Sequence, residues 1–530
     1  MKKKFNVTGT CIPGKHYMVD ISDKIKKIMN LIENEEYFVI NRPRQYGKTT
    51  TLFLLNKKLK SEEEYLPIKI SFEGIGDSVF ENEKSFSKAF LQIVERNLIF
   101  NNKNLSGFLE EERVKIQNLN DLSNVITKLV MKADKKVVLM IDEVDKSSNN
   151  QLFLSFLGML RNKYLLRNEE EDITFHSVIL AGVHDVKSLR LKIRSDEEHK
   201  YNSPWNIASD FDVDMSFSKV EIGTMLDEYV KDKGVVLDKE YFSERLYFYT
   251  SGYPFLVSKL CKIIDEKIML EGDLQWKKEY MDMAVKIILN DDNTNFQSLI
   301  KNLENNKELY DFIKMIIVDG ESIAYVKSDE LINMATMYGI LKDENSNCKV
   351  SNRIYEQLIY NHMIIKLIRT SNYTVMSQYN YKSKFIKEDG SFDVTKILMK
   401  FQEFMKHEYS EKRLAFLEVD GRLLFLAFIS PIINGTGFAF KEVQGGEEKR
   451  FDIVITYNKK MYIVELKIWH GEEYHEKGLV QLEEYLEQYS LGTGYLLIFD
   501  FRKLKGETGK VDEINIKIGR KKKNIVEVYC

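Results

Sequence analysis

Arg42-Pro43-Arg44-Gln45-Tyr46-Gly47-Lys48-Thr49-Thr50 joins the apolar run Tyr37-Phe38-Val39-Ile40 to the helix-forming stretch Thr51-Leu52-Phe53-Leu54-Leu55. A turn that opens a helix on Gly-Lys-Thr aims backbone N–H groups and a positive helix end at one point, which suits a chain of phosphates. Lys48 would reach the β- and γ-phosphates of ATP, and the Thr49 hydroxyl would ligate Mg²⁺. Arg44, Gly47 and Thr50 complete the candidate ATP-binding set. The usual spacing of this phosphate-binding loop (P-loop), G-x-x-x-x-G-K-[ST], begins with glycine, whereas Arg42 stands there in this chain and changes the loop's entry. A second stretch, Lys135-Lys136-Val137-Val138-Leu139-Met140-Ile141-Asp142-Glu143, is an apolar run that ends in two carboxylates, as a strand buried on both faces would. Asp142 is the candidate Mg²⁺ ligand, and Glu143 the residue to orient or activate the attacking water.

A second chemistry lies near the other end. Lys449-Arg450-Phe451-Asp452-Ile453-Val454-Ile455 and Met461-Tyr462-Ile463-Val464-Glu465-Leu466-Lys467 read as two strands joined by a turn at Asn458-Lys459-Lys460. Residues two apart on a strand share a face, so Glu465 and Lys467 point the same way, and a hairpin brings Asp452 beside them. Two carboxylates favour Mg²⁺ or Mn²⁺, and the ammonium can orient water or stabilise charge at phosphorus. The pattern D-x12-E-x-K resembles the active site of the PD-(D/E)XK nuclease superfamily. That resemblance implies Asp452, Glu465 and Lys467 as catalytic residues and Asp452, Glu465 and Glu442 as metal ligands. It also offers Glu418 as an extra acid, although Glu442 reads equally, and Glu418 more readily, as an ordinary surface carboxylate. Gln481 and Tyr485, four apart on a helix, resemble the Q-x-x-x-Y helix of some of these nucleases.

These motifs need elements to hold them. With 530 residues, 44% hydrophobic and 30% charged, the chain is long enough for several globular domains. Its formal net charge of −3 argues against a protein that merely coats nucleic acid, since such binding rests on neutralising phosphates, and leaves room for a local basic groove. The basic cluster Lys517-Ile518-Gly519-Arg520-Lys521-Lys522-Lys523 reads as a local nucleic-acid patch or as a solvated tail. No run has the length of a membrane span and the first residues form no signal sequence, so a cytoplasmic protein is expected. Cys11, Cys261, Cys348 and Cys530 are scattered without a C-x-x-C pair, so reduced thiols are expected.

Up to about residue 290, short apolar runs alternate with helical stretches, the pattern of an α/β sheet covered on both faces. Leu66-Pro67-Ile68-Lys69-Ile70-Ser71-Phe72 and His176-Ser177-Val178-Ile179-Leu180-Ala181-Gly182 supply further strands, the latter leading to His184. His184 is a candidate γ-phosphate sensor or a plain loop histidine. Arg190 and Arg194 are candidate cationic contacts to nucleotide, in cis or from a second copy, or plain surface arginines. Pro13-Gly14-Lys15-His16-Tyr17-Met18-Val19-Asp20 is either a cover for the adenine or an ordinary loop.

Gly252-Tyr253-Pro254 at a helix start resembles, together with the two earlier motifs, the G-x-P of STAND-type AAA+ ATPases. That resemblance implies a five-stranded core and a helical lid. The periodicity over Glu308–Val318 and Ser328–Tyr338, with a polar hairpin around Lys342–Cys348, looks like a winged helix. It reads as a regulatory packing domain rather than a DNA reader, for lack of a basic recognition stretch. The segment from Phe392 to Lys503 looks like the nuclease-like domain fused to bacterial AAA-like ATPases. The expected organisation is α/β throughout: a P-loop AAA-like core at 1–215, helical lid at 216–290, winged-helix-like module at 291–370, linker at 371–391 and PD-(D/E)XK nuclease-like domain at 392–530. The expected function is an ATPase that regulates a metal-dependent nuclease-like domain acting on DNA, or on RNA, without a membrane partner. Self-association and defence against foreign DNA are compatible with it. The competing reading is an ATP-dependent signalling or scaffold protein whose C-terminal domain binds without cutting.

Overall fold

The computed structural model describes residues 3–144, 151–183, 205–269, 273–319, 322–370, 385–387, 389–409, 421, 425–426, 428–429, 437–440, 453–457, 460–469, 471–488, 491–500, 511–518 and 521–529. The chain forms two compact units, one of Met1–Tyr310 with Ile323–Glu356, the other of Asp311–Ser322 with Gln357–Cys530.

The first unit is built on strands β1 (Phe38–Asn41), β2 (Tyr65–Ser71), β3 (Lys136–Asp142) and β4 (Ser177–Gly182), ordered β1-β4-β3-β2 and all parallel. Alternation along β3 sends Val137, Leu139 and Ile141 into one apolar cluster and Val138 and Met140 into the other. Both faces are therefore covered, the first by helices Glu83–Leu98, Leu119–Ala133 and Gln151–Asn168, the second by Ser22–Glu33 and Lys48–Lys60. This is why these strands read as continuous apolar runs.

The expected five-stranded core has four strands among the described residues. At the β1 edge a fifth segment makes one parallel bridge, Phe38 to Ser209, with the Ser209 N–H donating to the Tyr37 carbonyl at 2.8 Å. Beyond it the Phe211 and Val213 carbonyls accept from the Arg42 guanidinium, at 3.3 and 2.8 Å, so a side chain supplies the donors a neighbouring strand would give.

Four further helices follow, Lys219–Lys233, Lys239–Thr250, Pro254–Ile263 and Glu279–Leu289. The first is fixed at its start by a capping box between Ser218 and Glu221. The N-terminal segment is strapped to these helices: Phe5 and Tyr17 pack on Tyr229, and the Tyr17 hydroxyl donates to Asp232 at 2.6 Å. The polar hairpin is present as antiparallel β5 (Leu341–Glu344) and β6 (Asn347–Val350). Asn345 and Ser346 between them both have positive φ, 53° and 63°, as a two-residue type I′ turn requires.

The second unit holds a six-stranded sheet: β7 (Gly437–Phe440), β8 (Ile453–Tyr457), β9 (Lys460–Ile468), β10 (Thr493–Phe499), β11 (Val511–Ile518) and β12 (Lys521–Tyr529), in the order β11-β12-β10-β9-β8-β7. The pairs β7/β8, β8/β9 and β11/β12 are antiparallel, whereas β9/β10 and β10/β12 are parallel. Helix Val394–Tyr409 packs on one face, with Phe401 beside Leu466 and Val528 in the same cluster, and helix Glu472–Gln488 covers the other through Leu482 and Leu486. Of the linker expected at 371–391, positions 371–384 and 388 lie outside the described residues. The remainder is a small hairpin, Ile386 bridging Phe392, with Phe385 and Phe392 buried in the core. The basic cluster is no tail on its described flanks: Lys517 pairs with Lys522 and Ile518 with Lys521 across the β11/β12 hairpin. Cys11, Cys261 and Cys348 are free thiols. Among the described residues no helix is long and apolar enough to cross a membrane.

Candidate functional site

The loop after β1 carries two left-handed residues, Gln45 with φ 56° and Gly47 with φ 84°, the second being the N-cap of helix Lys48–Lys60. Alternating hand along a short backbone stretch turns its N–H groups to one side and makes an anion-binding concavity. Gly47 is needed for its φ, and a Cβ there would also meet Pro254 Cγ at 3.9 Å. Lys48 is 8% exposed, and its Nζ donates to the Arg42 and Pro43 carbonyls at 2.8 and 3.0 Å. The ammonium is thus held inside the loop's curve by backbone oxygens.

Arg42 explains its own departure from glycine. Its N–H donates to the Gly182 carbonyl at 3.2 Å, which extends the β1/β4 pairing, and its guanidinium lies 5.3 Å from the Phe211 ring. Burial pulls its pKa below the usual arginine value. The side chain ties the loop's entry to the fifth segment of the core.

At the end of β3, Asp142 is 2% exposed and its Oδ1 accepts the Glu143 N–H at 3.1 Å. Glu143 has φ 56°, a left-handed conformation that costs a non-glycine residue about 1 kcal/mol or more and concentrates at functional sites. A cavity of about 1010 Å³ is lined by Arg44, Gly47, Lys48, Thr49, Thr50 and Glu143. The structure therefore gathers these six expected residues at one place, with Asp142 buried directly behind Glu143. Thr50 also holds the N-terminal segment, since its Oγ1 accepts the Cys11 N–H at 3.0 Å. Tyr17, Met18 and Val19 line the same cavity, so the segment read as a cover or a plain loop faces it. Arg44 is exposed, donating to Ser298 Oγ at 3.3 Å.

Motif spacing did not point to Glu73 as a site residue, yet it lines the cavity just past β2, whose last residue Ser71 pairs with Asp142. Nor did it give Tyr253 a role, although its place between Gly252 and Pro254 was the available signal. Its hydroxyl donates to the Arg44 carbonyl at 2.5 Å, and its ring lies 4.7 Å from Tyr46 and 5.4 Å from Tyr355. Burial pushes the Tyr253 phenol up to about 12. Gly339, with φ 74°, backs onto the loop so closely that a Cβ would sit 2.9 Å from Pro43. No local pattern announces that contact.

In the second unit Glu465 is 1% exposed and Lys467 Nζ lies 3.1 Å from its Oε1. Helix Glu472–Gln488 crosses over this pair at Gly478, where a Cβ would meet Lys467 Cγ at 3.1 Å. Gln481 is half-buried on that helix, which also carries Tyr485. Asp452, Glu442 and Glu418 lie outside the described residues, as do His184, Arg190 and Arg194. Among the described residues no group of three or more His, Cys, Asp and Glu side chains could hold a metal ion. The first site needs no such group, because Mg²⁺ at a nucleotide is held by few protein oxygens together with the phosphates. The concavity, the buried amine and the carboxylates after β3 fit a Mg²⁺-bound triphosphate.

Solved structures to which the chain is similar include a Walker-type ATPase of Pyrococcus abyssi, 14% identical with a TM-score of 0.48 over 67% of this chain and 99% of that one. Others are the ORC2 protein of Aeropyrum pernix, 12% identical with a TM-score of 0.37 over 68% and 99%, and the RuvB Holliday junction branch migration motor of Thermotoga maritima, 13% identical with a TM-score of 0.35 over 64% and 95%. No curated protein matches. The model of the AAA-like domain matches residues 18–361, well over half of the 530-residue chain, and the protein belongs to that family.

Proposed function

We propose that the first unit binds ATP with Mg²⁺ and hydrolyses it, and that its nucleotide state regulates a metal-dependent nuclease activity of the C-terminal unit. The observation that carries the ATPase reading is the cavity in which Lys48, Thr49 and Glu143 meet beside the left-handed loop. Bound Mg²⁺ would neutralise charge on the phosphates, with Thr49 and Asp142 as its protein ligands. Lys48 would exchange the carbonyls of Arg42 and Pro43 for phosphate oxygens, and Glu143 would orient the attacking water.

For the C-terminal unit the support is the sheet. An antiparallel meander β7-β8-β9 followed by a helix and the parallel strand β10 puts Glu465 and Lys467 on one face. The β8/β9 register pairs Ile453 with Val464, and Asp452 precedes Ile453 in the chain. In this reading Asp452 and Glu465 hold Mg²⁺ or Mn²⁺ and Lys467 stabilises charge at the scissile phosphate. One observation favours the competing reading, a domain that binds without cutting: the Glu465 carboxylate is buried and held by Lys467, so a metal must loosen that ion pair to reach it.

Cleavage of labelled DNA with Mg²⁺ or Mn²⁺, with and without ATP, separates the two. Glu465→Ala and Asp452→Ala are expected to lower cutting by roughly 100-fold or more, and Lys48→Ala to alter its ATP dependence. Cutting left intact in the Glu465 and Asp452 variants removes the nuclease assignment. Absence of cutting in the wild type, with ATP still hydrolysed, selects the binding reading.

A further inference from the structure

Alternation along β9 carries one step past Lys467. The Trp469 N–H donates to the Phe499 carbonyl at 2.9 Å, which continues the β9/β10 pairing, and the ring packs against the cluster under helix Glu472–Gln488. Glu465, Lys467 and Trp469 therefore share one face at two-residue steps, each about 7 Å along the strand. Trp469 is half-buried, and its ring centroid lies 5.5 Å from His475 and 6.1 Å from Tyr529, both tilted against it. Those neighbours are themselves fixed. His475 Nε2 is 2.8 Å from Glu527 Oε1, the Tyr529 hydroxyl donates to Glu527 Oε2 at 3.2 Å, and Glu527 is buried.

A partly open indole, braced on its sides and clipped through its backbone, gives up little conformational freedom when another ring lies on it. It sits one step from the lysine assigned to phosphate. Such an aromatic surface beside a phosphate contact is how proteins hold single strands, because every base has a flat face and only an unpaired base can present it. We propose that Trp469, braced by His475 and Tyr529, is a base-stacking platform that selects single-stranded nucleic acid for the site at Glu465 and Lys467. This rests on the reading of the C-terminal unit as acting on nucleic acid and names its substrate class.

Tryptophan fluorescence of the full chain in EDTA tests it apart from cleavage. The chain has three tryptophans, and Trp205 and Trp276 are 0% and 2% exposed, so quenching by a ligand reports on Trp469. Oligothymidylate and oligouridylate are expected to quench the emission and shield it from acrylamide, and a DNA duplex of equal length to do neither. Quenching by both strands names any single strand as ligand, and by one alone names that polymer, with oligodeoxyuridylate then separating the sugar from the base methyl. Trp469→Ala is expected to weaken single-strand binding roughly tenfold without changing its salt slope, and Trp469→Phe to keep most of the affinity. Should Trp469→Ala fail to fold, the wild-type shielding decides. Absence of single-strand binding, binding that leaves the emission unchanged, duplex binding as tight as single-strand binding, or a folded Trp469→Ala that binds like wild type overturns the proposal. Strand-selective quenching without cleavage under any metal would sink the nuclease reading and leave the platform standing.

Discussion

Replacing Gly252 with alanine is expected to lower the melting temperature of the full chain's first transition by on the order of 10 °C. Gly252 has φ 72°, and a Cβ there would lie 2.0 Å from the Phe217 carbonyl oxygen and 2.7 Å from its nitrogen. The obstacle is backbone, which cannot swing aside as a side chain end can. Phe217 is also hydrogen-bonded to this residue, its N–H donating to the Gly252 carbonyl at 2.8 Å, so moving either segment breaks that bond. The left-handed conformation alone costs alanine about 1–2 kcal/mol. Because Tyr253 and Pro254 follow directly and touch the phosphate-binding loop, residual folded protein should also bind nucleotide more weakly. Calorimetry of the variant checks the prediction, and a shift of less than about 2 °C would contradict the geometry.

Lys48→Ala is expected to weaken ATP binding by roughly 10- to 100-fold, the worth of a charge-assisted hydrogen bond to phosphate. The same change removes the donor to the Arg42 and Pro43 carbonyls, so the loop should loosen even without nucleotide. Lys48→Arg is a poor substitute, since a planar fork cannot occupy the curve where a compact ammonium meets two carbonyls. Titration with a fluorescent ATP analogue measures the loss. Unchanged affinity in Lys48→Ala would separate the amine from nucleotide binding.

Much of the first unit was legible because its signals are local. An apolar run ending in Asp142-Glu143 reads as a doubly covered strand, which β3 is, and Gly-Lys-Thr after a strand marks where the helix starts. The substitution of Arg42 for glycine was visible but not its meaning, since its partners Phe211 and Val213 are far along the chain. The same holds for Pro43 against Gly339 and for Tyr253 against the Arg44 carbonyl. Sequence periodicity reports which face of an element is apolar, not which distant backbone it will meet. The fifth strand was expected from resemblance, but the acidic alternation Asp210, Asp212, Asp214 belongs to an edge that pairs little. In the second unit, Glu465 and Lys467 were placed together by strand alternation alone. Trp469 was passed over because a lone aromatic at a strand end is ordinarily core. Only its packing with His475 and Tyr529, which joins a helix and the last strand to β9, gives it another use.

The most direct test of the account is steady-state ATP hydrolysis by the full chain with Mg²⁺, comparing wild type with Glu143→Gln. The amide keeps the shape of Glu143 and its place on the cavity wall but cannot take a proton from water. Wild type should turn over, and Glu143→Gln should bind ATP with similar affinity while hydrolysing it roughly 10²- to 10⁴-fold more slowly. A variant as fast as wild type, or a wild type that neither binds nor hydrolyses ATP, would contradict the assignment of this cavity as an ATPase site.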